Sequence, residues 1–280
     1  MADVSILVLT LDEEKNLPGC LRSVAWADDV VVLDSGSTDR TVAIAERAGA
    51  RVFHRRLDDW ATHCDWAFRE LPFRQEWVFM IDADERMSPA LAREIEAFVR
   101  HAPADCGAAR VRFKNMFQGR WIKHASLYPS WITRLLRRGR FRYEPRLVNA
   151  HPVVEGAVHD LRGHLVHYSF NKGIAHWFDK HNRYSNLEAV ETLRQRRAGG
   201  VRWRDLLNSD PMKRRRVLKN LSMHLPARSL WKFLYMYGLR RGFLDGIPGL
   251  NYCLLQAVYE FMITLKAEEM GGKSTEDDVP

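Results

Sequence analysis

The sequence predicts an α/β protein with a mostly parallel sheet and a helical C-terminal region. Short apolar runs alternate with helix-like patterns over the first 100 residues, an order typical of parallel strands covered by helices on both faces. Residues 108–170 are rich in strand-like segments broken by Gly and Pro, and helical patterning returns from about residue 173. A chain of 280 residues can bury a large core without disulfides or metals.

Four strands and four helices are predicted in the first 100 residues. The strands are residues 4–9, 30–33, 51–53 and 77–81. Pro18 suits the first turn of the first helix, and Ser37 or Thr38 could cap the second. The third helix is predicted over residues 60–70, and Ser88 opens the fourth.

The composition excludes several classes of protein. Hydrophobic residues make up 46% and charged residues 28%, which is usual for globular domains and unlike disordered or collagen-like chains. The four cysteines form no CxxC pair, which argues against a cysteine-built zinc or redox site and suits a reducing compartment. The N-terminus has no basic region of the kind that begins a secretory signal.

Positive charge is concentrated in residues 196–241. This segment holds 13 Lys and Arg against two acids, a balance of +11, whereas the whole chain carries +8. Aromatic residues alternate with the cations: Trp203, Trp231, Phe233, Tyr235 and Tyr237. This combination favours an anionic membrane surface, with a solvated helical face as the alternative; nucleic acid is not an expected partner. The longest uncharged stretch, 14 residues, cannot span a bilayer, so we expect residues 201–265 to dock without crossing.

Three carboxylates follow predicted strands. Asp34 ends the second strand, and Asp82 and Asp84 follow the fourth. Ligands of open parallel sheets bind outside the carboxyl ends of the strands, so these side chains should converge on one crevice. Asp34 could accept from a ribose or a base, and the D-x-D pair could hold a hard divalent cation on a diphosphate. For Asp34 and Asp39, a turn or a helix cap is the alternative.

The loop after the first strand should lie at the same edge of the sheet. It contains the sequence TLDEEKNL, from Thr10 to Leu17. Glu13 and Glu14 could face a ligand there, or they could simply be acidic residues in the first turn of a helix.

At this point the sequence resembles a known family. The ordered motifs TLDEEKNL, LDSGSTDRT and IDADE are similar to those of inverting family 2 glycosyltransferases of the GT-A fold. The likeness covers roughly residues 3–269 and extends toward the bacterial lipopolysaccharide-core glucosyltransferase subgroup and its relatives in surface-polysaccharide synthesis. The further motifs are Phe117-Gln118-Gly119, Tyr128-Pro129, Arg134-Leu135, Val158-His159-Asp160 and Gly242-Phe243-Leu244-Asp245-Gly246.

The resemblance implies a function for each part of the chain. Residues 1–105 would bind a nucleotide sugar, most simply a UDP-sugar, and residues 106–198 would form the acceptor-binding and catalytic half of the same domain. Residues 199–269 would be a basic helical appendage on the cytoplasmic face of the cell membrane, and residues 270–280 a disordered tail. The acceptor would be a membrane-borne glycan or glycolipid. The alternative is an inactive, membrane-associated binding protein or scaffold.

The resemblance also assigns site residues. The donor-binding set is Thr10, Leu11, Glu13, Asp34, Asp82 and Ala83. Asp84 would bind Mg²⁺ or Mn²⁺, and Asp160 would be the general base, with Glu155 as a competitor for that role. A placed carboxylate accelerates attack by a hydroxyl about 10²–10⁴-fold, which is the physical reason for expecting a base. The alternative for Asp160 is an ion pair with Arg162 or Arg146.

Histidine is concentrated in residues 151–181, which hold six of the eleven in the chain. Their spacing matches no zinc motif, and His164 and His167 would point to opposite faces of a strand. We therefore expect structural or hydrogen-bonding roles for this group.

Overall fold

The computed structural model describes residues 3–144, 150–198, 217 and 226–276. The chain divides into two compact units. The first contains Met1–Trp121 and Tyr128–Gly173, and the second contains Ile122–Leu127 and Ile174–Pro280.

The first unit carries all of the described strands and four helices. Its elements up to residue 101 are β1 (Val4–Thr10), α1 (Leu17–Val24), β2 (Asp29–Asp34), α2 (Thr41–Arg47), β3 (Arg51–His54), α3 (Trp60–Glu70), β4 (Trp77–Asp82), β5 (Glu85–Met87) and α4 (Pro89–His101). Those that follow are β6 (Cys106–Phe117), β7 (Arg120–Trp121), β8 (Trp131–Arg137), β9 (Phe141–Tyr143), β10 (Pro152–Val154) and β11 (Ala157–His167).

The predicted strands and helices of the first 100 residues are confirmed, with one shifted boundary. Ser88 caps α4 by accepting from Leu91 N. Helix α2, however, begins only at Thr41. The two predicted caps are used elsewhere, because the Ser37 hydroxyl donates to Asp34 and Thr38 hydrogen-bonds to Asp12.

The described strands form a nine-stranded mixed sheet and a separate β9–β10 pair. The order of the large sheet is β3-β2-β1-β4-β8-β6-β11-β5, with β7 beside β6. Strands β3, β2, β1 and β4 are parallel to one another, β8 is antiparallel to both β4 and β6, and β11 is parallel to β6. The predicted α/β class is therefore confirmed, as a sheet whose first half is parallel and whose second half is mixed.

The core lies on both faces of the central strands. Ile6, Val8 and Phe79 pack on one face with residues of α1 and α4, whereas Leu7 and Met80 pack on the other with α3. Alternate side chains of a strand point to opposite faces, so continuous apolar runs are needed to fill both layers. The rigid strands of this core fix the positions of the residues at their ends.

Strand β11 contains a bulge that changes its register with β6. Asp160 pairs with Arg110, but the next pair joins His164 to Arg112, so β11 advances four residues where β6 advances two. Within the bulge, the backbone N–H groups of Arg162 and Gly163 each donate to the Glu94 carboxylate at 2.7 Å. Glu94 thereby satisfies donors that the bulge removes from the ladder.

The second unit is helical in its described residues. It contains α5 (Ile174–Ala198), α6 (Arg228–Leu234) and α7 (Gly246–Glu276), with a π-helical turn at Tyr235–Leu239 and a 3₁₀ turn at Gly242–Asp245. Lys266 Nζ on α7 donates to Asn182 O on α5 at 2.8 Å, and the rings of His181 and Tyr259 are 4.7 Å apart. Because α5 packs along α7, the second unit begins at Ile174 and not at the predicted boundary of residue 199.

The end of the chain differs from the sequence-based expectation. Helix α7 continues to Glu276, so residues 270–276 of the expected disordered tail are helical. The predicted helices within residues 201–225, apart from Val217, lie outside the described residues, as do residues 277–280. Within the described ranges, every helix is too short or too polar to traverse a bilayer. All four cysteines are free and buried.

Candidate active site

The carboxyl ends of β1, β2 and β4 meet at one edge of the sheet, called here the carboxyl edge. In the parallel register, Thr10 is paired with Asp34 and Leu9 with Asp82. The Thr10 hydroxyl donates to Asp34 at 3.0 Å, which ties the first two strand ends together. The order of the strands thus places these residues side by side, as the sequence predicts.

Asp82 is held by a buried cation. Arg134 Nη2 on β8 lies 2.5 Å from Asp82 Oδ2 and 2.7 Å from Glu85 Oε1. Arg134 and Glu85 are almost fully buried, whereas 31% of the Asp82 side chain is exposed. Burial raises the pKa of Glu85 to about 7 despite the opposing charge of Arg134. Burial also lowers the pKa of Arg134, but the two carboxylates outweigh it and raise that pKa.

Asp84 lies next to His167, a residue of β11 near the other side of the large sheet. Strand β5 pairs antiparallel with β11, and Glu85 stands opposite His167 in that register. His167 Nε2 lies 3.3 Å from Asp84 Oδ2, and its Nδ1 lies 3.0 Å from Asn115 Oδ1. Burial lowers the pKa of His167, but the nearby carboxylates, Asp84 first among them, together outweigh it and raise that pKa. Ala83, between the two aspartates, is buried.

The loops that follow β1 and β2 are hydrogen-bonded to each other. Asp12 N donates to the Ser37 hydroxyl at 2.8 Å, and Thr38 N donates back to Asp12 Oδ1 at 2.7 Å. Glu13 N donates to the Thr41 hydroxyl at 2.7 Å. These bonds join sequence positions about 25 residues apart and fix one loop against the other.

Asp34 and Asp39 act as turn and cap residues in this structure. The Asp34 carboxylate is buried and accepts from the backbone N–H groups of Gly36 and Ser37 at 2.9 and 2.8 Å. Burial raises the pKa of Asp34, but these hydrogen bonds outweigh it and hold the pKa below its ordinary value. Asp39 accepts from the backbone N–H groups of Glu14 and of the first residue of α2.

Glu13 and Leu11 contact a lysine that the sequence did not single out. Lys172 Nζ lies 2.6 Å from Glu13 Oε1 and 3.2 Å from Leu11 O, and Asn16 also donates to Glu13. Burial raises the pKa of Glu13, and the lysine opposes that rise. Leu11 is 44% exposed, so the first loop presents an apolar side chain to solvent beside an ion pair that is largely buried.

The two predicted bases lie in or just before β11, three strands across the sheet from β4 and Asp82. Asp160 is paired with Arg110, and His167 with Asn115, so the two positions are five β6 residues apart, or about 17 Å. Asp160 forms a two-point ion pair with Arg110, at 2.7 and 3.0 Å, and not with Arg162; Arg146, the other suggested partner, lies outside the described residues. Glu155 hydrogen-bonds through its backbone to Arg140 and precedes the start of β11, toward the opposite edge.

Four residues at the carboxyl edge were missed as site residues: Glu85, Arg134, His167 and Lys172. Arg134 belongs to one of the motifs that resemble the family, and Glu85 is the last residue of the IDADE motif. Membership of a motif does not by itself indicate what either residue does in the site. His167 is one of the clustered histidines, and only the β5–β11 register brings it to Asp84. Among the other five, His159 stacks on Phe98 with ring centroids 4.9 Å apart, a structural role as predicted.

The donor set fits a divalent cation that a substrate also coordinates. Among the described residues, no group of three or more His, Cys, Asp or Glu could hold a metal by itself. Mg²⁺ at phosphate-transfer sites needs only one or two protein carboxylates, because phosphate and water oxygens complete the shell. Asp84, with its side chain 15% exposed at the edge, and Asp82 beside it supply such a set.

A comparison with family models decides the identity of the chain. The model described as Glycosyl transferase family 2 matches residues 5–154, more than half of the sequence. The chain belongs to this family. The resemblance based on the three motifs is therefore confirmed.

Relatives of this family 2 glycosyltransferase cover most of its length. An uncharacterized glycosyltransferase of Rickettsia typhi is 26% identical over 98% of this chain and 89% of its own. The lipopolysaccharide core biosynthesis glycosyltransferase LpsC of Rhizobium meliloti is 30% identical over 68% of this chain and 72% of its own. Among solved structures, the mannosyltransferase PcManGT of Pyrobaculum calidifontis, in complex with GDP-Man and Mn²⁺, shares the fold with a TM-score of 0.54 at 15% identity, over 95% of this chain and 87% of that one.

Proposed function

We propose that this family 2 glycosyltransferase moves a sugar from a nucleotide diphosphate donor to a glycan or glycolipid in bacterial surface-polysaccharide synthesis. The observation that carries the proposal is the meeting of Asp82 and Asp84 with two interlocked loops at the carboxyl edge, where α/β sheets bind nucleotides. The relative named for lipopolysaccharide core biosynthesis supports the class of acceptor. A UDP-sugar is the simplest donor.

Each residue of the carboxyl edge would have a distinct role in donor binding. Thr10 ends β1, and Leu11 and Glu13 follow it on the first loop, where they can line the nucleoside site. Asp34 would act indirectly, because its buried carboxylate orients the N–H groups of its own turn. Asp82, held in place by Arg134, is positioned to accept from the hydroxyls of the ribose or the donor sugar.

Asp84 would hold Mg²⁺ or Mn²⁺, with Asp82 as a second carboxylate. When bound, the ion would neutralise the charge that develops on the diphosphate leaving group. His167, oriented by Asn115 through Nδ1, fixes the Asp84 carboxylate from the other side. Lys172 places a further cation on the first loop.

We take transfer to invert the anomeric centre in one displacement, as the family resemblance implies. Such a displacement benefits from a base within hydrogen-bond reach of the acceptor hydroxyl. Asp160 is paired with Arg110, and Glu155 precedes β11, three strands across the sheet from β4, so we assign the role of base to neither residue.

We also infer that the second unit docks on the anionic inner face of the cell membrane. Exposed apolar residues of α7 follow one another at intervals of seven, four, three and four: Ile247, Leu254, Val258, Phe261 and Leu265. That spacing places them on one helix face, which we call the α7 stripe. The cations Arg240 and Arg241 precede it, within the basic segment 196–241.

The experiment that tests the proposed function is a screen of nucleotide sugars for thermal stabilisation with and without Mn²⁺. The donor should raise the melting temperature in the presence of the ion and be hydrolysed slowly without acceptor. A catalytically inactive scaffold could bind a nucleotide but would release no free sugar. Absence of any nucleotide-dependent shift would contradict the proposal.

A further inference from the structure

One face of the sheet carries a row of cations alternating with aromatic rings. Arg110, Arg112 and Lys114 are at every second position of β6, so their side chains share a face. The guanidiniums of Arg110 and Arg112 lie 5.7 and 5.5 Å from the ring centre of Trp131, and the Lys114 ammonium lies 4.6 Å from that of Trp121. We call this row the β6 stripe.

The charges of the β6 stripe are only partly neutralised. Arg110 is paired with Asp160. Arg112 and Lys114, in contrast, contact no carboxylate within the described residues, and Arg112 Nε is buried without a hydrogen bond. The same positive charges affect the nearby His164. Burial lowers its pKa, and Lys114 and Arg112 lower that pKa further.

The β6 stripe begins next to the carboxyl edge. Lys114 is adjacent in sequence to Asn115, whose side chain contacts the same His167 that faces Asp84. From there the stripe runs along β6 to Arg110, which is paired with Thr133 of β8. A sugar chain whose terminal hydroxyl lies at the edge would therefore place its preceding residues along Trp121, Lys114, Arg112 and Trp131.

We propose that the β6 stripe is the acceptor subsite and that it selects glycans bearing a phosphate or a carboxylate. The inference rests on the proposed function, because it assumes that a sugar acceptor reaches this edge. Flat aromatic rings contact the apolar faces of sugar rings, and the two cations without carboxylate partners complement an anionic substituent. A neutral glycan would leave Arg112 without a counter-charge, so charge would distinguish one acceptor from another.

The test uses probes of matched size. Tetragalacturonic acid and its methyl ester differ in carboxylate charge, and glucose 6-phosphate and glucose differ in phosphate. Binding is measured by calorimetry on the full chain with UDP and Mn²⁺ present. We expect each charged probe to bind about tenfold more tightly than its neutral partner, the gain from roughly one charge-assisted contact. The preference should shrink as salt is added.

The variants separate this subsite from general electrostatics. Arg112→Gln with Lys114→Gln should abolish the preference for charge, whereas Arg112→Lys alone should keep most of it. The matched control, Arg47→Gln with Arg93→Gln, removes the same net charge from α2 and α4 and should leave the preference intact. If the double variant fails to fold, Lys114→Gln alone should still reduce the preference.

UDP binding in the same samples distinguishes the two proposals. Wild-type protein that binds UDP with Mn²⁺ but takes charged and neutral glycans equally would overturn the acceptor inference and leave the proposed function standing. A charge preference that the Arg47/Arg93 control loses as well would also overturn it, because the effect would then be general. Protein that binds no UDP would overturn the proposed function and the subsite with it.

Discussion

Arg134 and Asp82 form an ion pair at 2.5 Å in which the arginine is nearly sealed from water and the carboxylate is not. The arginine thus connects the buried layer under the carboxyl edge to the first residue of the D-x-D motif. The same nitrogen binds Glu85, which is also buried. This arrangement fixes the Asp82 carboxylate, which a ligand can reach. It also makes the loss of the Arg134–Asp82 ion pair costly to the stability of the protein.

Removal of Arg134 should destabilise the protein severely. Arg134→Met leaves Glu85 buried without its counter-charge, a change that costs about 3–5 kcal/mol of unfolding free energy. Adding Glu85→Gln should recover part of that loss, because the uncompensated charge is gone. Urea unfolding of both variants measures the effect. Equal stability of the single and double variants would show that the Arg134–Glu85 pair is not the source of the cost.

Asp84→Asn should abolish Mn²⁺-dependent binding of UDP without unfolding the protein. The amide cannot supply the anionic oxygen that a hard cation prefers, and the side chain is at the surface of the edge. Calorimetry with UDP, with and without Mn²⁺, measures the loss. Asp3→Asn removes one charge from a distant, exposed site and should bind as the wild type does. Full retention of the metal effect in Asp84→Asn would exclude Asp84 as the ligand.

Asp160→Asn should keep sugar transfer within about threefold of the wild-type rate. A lost general base would instead lower turnover about 10²–10⁴-fold. The expectation follows from the two-point ion pair with Arg110, which holds the Asp160 carboxylate on β11, three strands across the sheet from β4. Initial rates with saturating donor decide the matter. A loss of two or more orders of magnitude would assign the role of base to Asp160.

The stability of the first unit should depend on Asp29 at acid pH. Burial raises the pKa of Asp29, but hydrogen bonds from Ser5, Arg74 N and Arg51 outweigh it and hold the pKa below its ordinary value. The stabilisation is therefore complete above the unfolded-state pKa, about 3.9, and is lost as the pH falls through the lower folded-state value.

Asp29→Asn tests this dependence. At neutral pH the variant should be less stable by about 1–3 kcal/mol, the usual cost of disturbing buried hydrogen bonds to a charged group. Its deficit should shrink below pH 4, so the two stability curves converge. Denaturant midpoints at a series of pH values measure this. A constant difference down to pH 2 would mean that the Asp29 charge contributes nothing.

Membrane docking should depend on Ile247, at the start of the α7 stripe, and on Leu239, an exposed apolar residue of the preceding π-helical turn. Leu239 and Ile247 are 76% and 74% exposed, so changing both to Ser removes apolar surface without disturbing a core. Sedimentation with anionic liposomes should show weaker binding of this double variant, and wild-type binding should weaken with salt. Leu57→Ser, at an exposed position of the first unit, is the control. Wild-type protein that ignores anionic vesicles at low salt would contradict membrane docking.

The sequence predicts the parallel half of the sheet well and the mixed half poorly, for a physical reason. Strands β1, β2 and β4 are continuous apolar runs, and their order alone brings Thr10, Asp34 and Asp82 together. The contact of Asp84 with His167 depends instead on which strands pair and in what register, and no local pattern specifies that. The pairing of Asp160 with Arg110 depends on the same strand register, so the sequence could not select it over the suggested pairing with Arg162.

The bulge in β11 determines which residue faces Asp84. Had β11 continued in the register that pairs Asp160 with Arg110, Leu165 would stand opposite Asn115, where His167 now stands. The shift is two residues, an even number, so each side chain of β11 would stay on the same face of the sheet. The packing of both hydrophobic layers would therefore be unchanged. Two contacts hold the shifted register in place: the hydrogen bond to Glu94 and the close packing of Gly163 on Leu91. Loss of the bulge without loss of any residue would therefore preserve the hydrophobic layers while placing Leu165 where His167 now stands, which would remove the imidazole from Asp84.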